Sequence, residues 1–420
     1  MMTMTDLPFL PFAKPCISEA AIEEVAACLR SGWITTGPRV QKFEELLTAY
    51  HGGRRALCLS SATAGLQLAL LALKLEDGDE VITTPMTFVA TLNTIVQAGG
   101  KPVLVDIDPA TLNIDVTKIE AAITPRTRVL MPVHFTGLAV DLDPIYALAA
   151  KHNLRVVEDC AQAIGTQYKG KRLGSFGDIQ VMSFHPNKNI TTGEGGAVIT
   201  DDKEVIQTIE RLRFHGIDRN AFNRFAKSGS QEYDVVAPGF KYNMMDMQAA
   251  LGIHQLPELD GFIARRTQLA RQYFDALSGW PELRLPVAPK DSPGHAWHLF
   301  TPRLTSPSPL EGEGRGGGVS STDSTLKTPP LPNPPPQGVR ELDRDGLINA
   351  MKAENIGLGL HYQSAHVFSW YKEHYGWKPG DFPHALAAGQ TIFSLPLFPT
   401  LTDAEQLRVI KTLEKVLKRV

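Results

Sequence analysis

Cysteine is scarce: Cys16, Cys28, Cys58 and Cys160 are the only four in 420 residues, and no two form a CxxC pair. That argues against a zinc ribbon or a redox dithiol, and no metal site is expected. Four isolated thiols suit a reducing compartment. An excess of charge of one sign is also missing, with 42 basic against 45 acidic residues and a net charge of -3. A general nucleic-acid binder would carry a strong basic bias. A small anionic substrate stays open, because it needs only a local cluster. Long apolar runs are absent as well. The longest, around Leu66–Leu73, is far short of the roughly 20 residues that span a bilayer. The first residues, MMTMTDLPFL, show no basic segment followed by an apolar one. A cytoplasmic location without membrane insertion is the expectation.

The chain is too long for one core, since single cores stop growing at roughly 250–300 residues. In its first part, short runs rich in Val, Ile and Leu alternate with helical patterns. Arg55–Ser60, Asp79–Thr84, Lys101–Ile107, Arg128–Val133, Leu154–Asp159, Asp178–Phe184 and Gly196–Asp201 are predicted strands. Helices are predicted from about Thr63 and over Val89–Gln97. Such runs, separated by helices, predict a largely parallel α/β sheet covered on both faces. The texture changes near residue 256. A helix over Glu258–Leu277, a strand in AWHLFTPRL (Ala296–Leu304), a helix over Arg344–Asn355 and a C-terminal amphipathic helix form a smaller α+β region. The division is therefore 1–255 and 256–420. Residues 305–338 (TSPSPLEGEGRGGGVSSTDSTLKTPPLPNPPPQG) are dominated by Pro, Gly and Ser and lack aromatics. Their composition predicts a disordered insertion in a surface turn rather than a docking arm.

Four features carry candidate chemistry. SSATAG (Ser60–Gly65) lies between a strand and a helix, where free N–H groups bind phosphate and where simple capping uses the same residues. Asp159 ends an apolar strand, facing the crevice where α/β sheets bind ligands, and Gln162 follows at the same rim. SFHPNKNITTGEGG (Ser183–Gly196) puts Lys188 in a turn after a strand, with a backbone-permissive GEGG behind it. TPMTFVATLN (Thr84–Asn93) places Phe88 just past a strand, where an aromatic can stack on a planar ring or enter the core. Singly, each has an ordinary structural explanation.

Together, in this order and spacing, they resemble the DegT/DnrJ/EryC1/StrS sugar aminotransferases, most specifically in EDCAQAIG (Glu158–Gly165) and SFHPNKNITTGEGG. The likeness extends over nearly the whole chain apart from the Pro/Gly segment. HAWHLF (His295–Phe300), GLGLHYQSAH (Gly357–His366), SLPLFP (Ser394–Pro399) and APGFKYN (Ala237–Asn243) resemble members that make UDP-4-amino-4-deoxy-L-arabinose, used in lipid A modification. The resemblance implies the type I fold of pyridoxal-phosphate enzymes and a homodimer. It implies transfer of an amino group from glutamate to a nucleotide-linked 4-keto sugar, a UDP-linked pentose or alternatively a 4-keto-6-deoxy-hexose nucleotide. Lys188 would then join the cofactor aldehyde covalently. Asp159 would pair with the pyridine nitrogen, Gln162 with the ring hydroxyl, and Phe88 with the ring face. Thr63 and Ser183 would hold the phosphate. Lys241 stands where many members carry an asparagine that reaches the phosphate across the dimer, and Asn243 where an arginine is common. Dehydratases and non-catalytic regulators share the fold. The first replace the lysine, and the second have no chemical need for Lys188, Asp159 and Gln162 together.

Overall fold

The computed structural model describes residues 7–217, 233–287, 294–305 and 342–418. Most of the segment 305–338, from residue 306 on, lies outside the described residues. The apolar runs form the expected sheet. Its strands are β1 (Arg55–Leu59), β2 (Glu80–Thr83), β3 (Lys101–Leu104), β4 (Thr127–Leu130), β5 (Arg155–Asp159), β8 (Ile179–Ser183) and β9 (Gly196–Thr200). A separate hairpin, β6 (Gln167–Tyr168) and β7 (Lys171–Arg172), intervenes. The spatial order is β1-β9-β8-β5-β4-β2-β3. Only β9 runs against its neighbours, β1 and β8, and the other pairings are parallel. All residues of β8 and β9 are buried. Their unbroken apolar reading follows from helices covering both faces.

One face packs Phe43, Leu47, Ile145, Val156 and Met182 with helices Pro38–Tyr50 and Leu142–His152. The other packs Leu66, Leu70, Val81, Val157 and Val181 with helix Ala62–Ala72. A further core gathers Tyr273, Phe300, Leu347, Phe393, Val409 and Leu413, together with Leu10 near the start of the chain.

Two elements differ from their predicted form. The helix expected from Glu258 begins at Asp246 and runs unbroken to Leu277, with Pro257 inside it. A proline in a helix interior costs about 3 kcal/mol, which is why the pattern before it does not read as the same helix. Burial of Leu256 and Leu259 in the sheet core, and of Leu269, Tyr273 and Leu277 in the further core, holds the two halves in line. Position 256 thus falls within a helix that contributes to both cores. Ala296–Leu304 is a strand only at Arg303–Leu304 (β11), paired with β10 (Leu283–Arg284). The rest of that apolar stretch is irregular. Ala296 and Leu299 donate to the carbonyls of Gly137 and Thr136 instead of entering a ladder. Among the described residues, no helix is long and apolar enough to cross a membrane.

Candidate active site

The site lies at the carboxyl ends of β5 and β8, where parallel strands leave a crevice. Asp159 ends β5 and is 5% exposed. Its Oδ2 accepts from Thr91 Oγ1 at 2.8 Å and its Oδ1 from the Ala161 amide at 3.0 Å. Thr91 in turn accepts from Thr87 at 2.7 Å. Burial pushes the Asp159 carboxyl up, while these two donors and then the Lys188 charge pull it down. The carboxylate is thus fixed in direction by neutral donors and has no ion-pair contact among the described residues.

Lys188 sits in the turn after β8, with its amide donating to the His185 carbonyl at 2.9 Å. Burial lowers its amine to about 8, partly opposed by the negative charge of Asp159. No side-chain partner holds this amine among the described residues. A desolvated lysine of this kind is a nucleophile near neutral pH.

The other candidates lie around this pair. Gln162 Oε1 accepts from the Thr136 amide at 2.8 Å, and its Nε2 reaches the Tyr362 hydroxyl at 3.4 Å. Phe88 is 56% exposed, with its ring 5.8 Å from that of Tyr362. It is therefore a rim residue and not part of the core. Ser183 is the last residue of β8 and pairs with Gly196, the first of β9. Gly196 lies against the start of helix Ala62–Ala72, and a Cβ there would come within 2.5 Å of the Ala62 nitrogen. This close approach brings Ser183 and Thr63 to one edge. Thr63 is exposed in the first turn, and Ser61 caps the Ala64 amide at 3.1 Å. The amides of Ala62 and Thr63 have no partner among the described residues, as the first N–H groups of a helix leave an anion site. Residues 241–243 run beside them, with the Tyr242 carbonyl accepting from Ser60 at 2.7 Å. Lys241 is exposed, and its amine lies 4.2 Å from the Phe214 ring centre. Asn243 donates to Thr36 at 2.6 Å, and its buried Oδ1 has no partner among the described residues.

The sequence reading did not single out Thr87, Thr91, Asn189, His298, His361 or Tyr362. His361 and Tyr362 lie in GLGLHYQSAH, and His298 in HAWHLF, quoted only as resemblance. His134, Glu158 and Cys160 also bring possible ligand atoms within 4.8 Å of one another. His134 Nδ1 accepts from the Val140 amide, so its Nε2 donates to Glu158, 2.9 Å away. Tyr146 and Gln180 donate to the other Glu158 oxygen. This buried network satisfies itself and braces β5 and β8 behind the site.

The residues present fit pyridoxal phosphate: a half-buried lysine whose amine has no partner among the described residues, an oriented buried carboxylate and free helix amides at one rim. The model of the DegT/DnrJ/EryC1/StrS aminotransferase family matches residues 15–311 and 336–414. The chain is 41% identical over 411 residues to the spore coat polysaccharide biosynthesis protein SpsC of Bacillus subtilis, covering 98% of this chain and 97% of that one. It superposes on Spr1654 of Streptococcus pneumoniae, described as a sugar aminotransferase, in its PMP form. The TM-score is 0.84 and the identity 31%, with 98% and 99% of the two chains covered. Helicobacter pylori PseC, an aminotransferase involved in the biosynthesis of pseudoaminic acid, matches at a TM-score of 0.82 and 26% identity, over 99% of this chain and 100% of that one. The chain belongs to the DegT/DnrJ/EryC1/StrS aminotransferase family and is a pyridoxal-phosphate-dependent sugar aminotransferase.

Proposed function

We propose that this enzyme moves the amino group of glutamate onto C4 of a nucleotide-linked 4-keto sugar, a UDP-linked 4-keto pentose, giving UDP-4-amino-4-deoxy-L-arabinose. The observation that carries the amino transfer is the half-buried, partly desolvated Lys188 amine together with the buried Asp159 carboxylate. The amine is lowered to about 8, and the carboxylate is held by Thr91 and Ala161. The sugar itself rests on the likeness of the segments around His295, His361 and Ser394.

When bound, pyridoxal phosphate supplies an aldehyde that reacts with amines and a ring that takes up the electrons left by proton removal. Lys188 would hold the aldehyde carbon and would give it up to the amine of glutamate. The Lys188 amine, once free, would take the proton from the glutamate α-carbon and carry it within the site as base and then acid. With a value near 8, about a tenth of such an amine is unprotonated at pH 7, far more than for an ordinary lysine. In the second half the same amine moves the proton in reverse, to C4 of the sugar. Asp159 would keep the pyridine nitrogen protonated, Gln162 would hold the ring hydroxyl and Phe88 would cover the ring face. Thr63 and Ser183 would hold the phosphate at the helix terminus.

Lys241 serves the phosphate of a second copy, which makes the enzyme a homodimer with shared sites. Support comes from exposed Trp33, Ile34 and Met245, brought together where the Thr35 carbonyl accepts from the Asp246 amide. Clustered exposed apolar side chains mark association surfaces.

The purified enzyme should be yellow and should bleach on adding glutamate, and borohydride should fix the cofactor to Lys188. The bleached form should regain its colour with the UDP-linked 4-keto pentose. Label on another lysine refutes the role of Lys188. Recovery only with a 4-keto-6-deoxy-hexose nucleotide replaces the pentose by that acceptor.

A further inference from the structure

Lys188 lies beyond the end of β8, which stops at Ser183, so the sheet ladder does not fix its backbone. Its own amide reaches only back to His185, and His185 is exposed. The rear of the turn is held differently. Asn189 is 4% exposed, and its Nδ2 donates to the Ala296 carbonyl at 2.6 Å, across 107 residues of chain. A carbonyl only accepts, so the amide nitrogen of Asn189 must be the atom that faces it. Asn189 Oδ1 is buried and has no partner among the described residues.

The anchor at Ala296 is itself fixed. Its amide donates to the Gly137 carbonyl at 3.1 Å, and Leu299 donates to the Thr136 carbonyl at 3.3 Å. The Thr136 amide is the group that orients Gln162, at 2.8 Å. Gly137 has a φ of +94°, and a Cβ there would lie 3.0 Å from the Gln162 carbonyl oxygen and 3.1 Å from the His298 nitrogen, so this approach needs glycine. From behind, buried Arg266 donates to the carbonyls of Trp297 and His298, both at 3.2 Å. A continuous path thus joins the backbone beside Lys188 to Gln162, through Asn189, Ala296 and the 136–137 turn. Farther along the lysine turn, the Thr191 amide donates to Gln255 Oε1 at 3.2 Å. Asn189 is therefore the tether nearer to the amine.

The unpartnered Oδ1 makes asparagine a poor choice for stability alone, because a buried acceptor without a donor is costly. Leucine has nearly the same shape and would remove that atom. What asparagine adds is a directed bond one residue from Lys188. We infer that Asn189 is a positioning residue: its bond to Ala296 sets the Lys188 turn against the segment that orients Gln162, so that the amine stands where it meets the cofactor aldehyde. This rests on the role proposed above for Lys188. A displacement of about 1 Å between reacting groups can cost about a hundredfold in rate, so a tether at this point has a large effect to exert.

The test compares two forms of the cofactor on the full-length apoenzymes of wild type, Asn189→Leu and Asn189→Ala. Pyridoxal phosphate can bond to Lys188, and its capture is followed by absorption. Pyridoxamine phosphate carries the same ring and phosphate but no aldehyde, so its affinity, measured by calorimetry, reads the rest of the site. In both variants pyridoxal phosphate should be captured at least about tenfold more slowly. Pyridoxamine phosphate affinity should stay within about twofold of wild type. Unchanged capture overturns the inference. So does a comparable loss toward both forms, which is what a general loosening of the site produces. If Asn189→Leu does not fold, Asn189→Ala decides by the same comparison. If neither folds, Asn189 is a folding residue and the inference falls. Borohydride treatment of the wild-type holoenzyme separates the two readings: label on another lysine removes the role of Lys188 itself, and label on Lys188 leaves the outcome to Asn189 alone.

Discussion

Lys188→Met should stabilise the enzyme without cofactor, by an amount that depends on pH. Folding lowers the Lys188 amine from the ordinary 10.5 to about 8. Each tenfold shift in proton affinity is worth about 1.4 kcal/mol, so the folded state loses about 3 kcal/mol wherever both states are protonated. Above pH 10.5 the amine is neutral folded and unfolded, and this cost is absent. As pH falls to 8 the unfolded chain takes up the proton first, and wild-type stability declines. Below 8 the loss is complete and constant. Methionine keeps the length and apolar stem of lysine and never carries charge. Its gain is reduced because Asp159 loses the positive charge that helps to hold it ionised. The net gain should be about 1–3 kcal/mol at pH 7 and should shrink toward zero as pH rises to 10.5. With a urea dependence of about 3 kcal/mol per molar, the midpoint should rise by several tenths of a molar up to about 1 M. The assay is urea unfolding of both apoenzymes at matched protein concentration from pH 7 to 10.5, since cofactor would stabilise the wild type alone. A difference that stays constant with pH, or a variant less stable at pH 7, would refute the buried-amine reasoning.

Asp159→Asn should lower turnover by orders of magnitude and affect cofactor affinity less, because it removes the ring's negative partner while keeping its shape. Near-normal turnover in steady-state kinetics would reduce Asp159 to a strand-end residue. In the same variant, acetic anhydride labelling of the apoenzyme should place the Lys188 amine below its wild-type value, because the charge that raises it is gone. Residues 312–335 fall between the two stretches matched by the family model, and replacing them with a short Gly/Ser linker should preserve amino transfer and a dimeric sedimentation rate. Loop closure changes by only about 0.6 kcal/mol per doubling of length, so loss of either property would mean that the segment has a working role.

The sheet was legible because strands buried on both faces leave continuous apolar runs, and Asp159 stood out as a carboxylate at the end of one of them. Lys188 stood out by its flanks, as the lysine of a turn bounded by Ser183 and Gly196. The groups that give these residues their properties were not legible, because the fold brings them from far along the chain. Thr91 orients Asp159 from 68 residues away, and Tyr362 meets Gln162 across 200. A threonine or tyrosine carries no local pattern announcing such a contact. Pro257 hid the first twelve residues of a 32-residue helix for the opposite reason. Its local signal was strong, and packing in two cores overrode it. HAWHLF has the apolar texture of a strand, yet its backbone bonds are spent on Gly137, Thr136 and Arg266.

The places where local rules fail gather at the site. Trp297 lies in a disfavoured backbone region, and among the described residues the two ring nitrogens of His298 and the Lys188 amine have no partner. Each lowers the stability of the folded chain. The burial that makes Lys188 costly to fold also keeps a usable share of its amine free of a proton at neutral pH. An ion pair with Asp159 would relieve that cost but would raise the amine back toward its ordinary value. Holding Asp159 by Thr91 and Ala161, neutral donors rather than a cation, keeps the carboxylate directed while leaving the amine nucleophilic. The site is therefore built around a separation of charges that the protein alone does not neutralise, which is the arrangement expected where a cofactor completes the electrostatics.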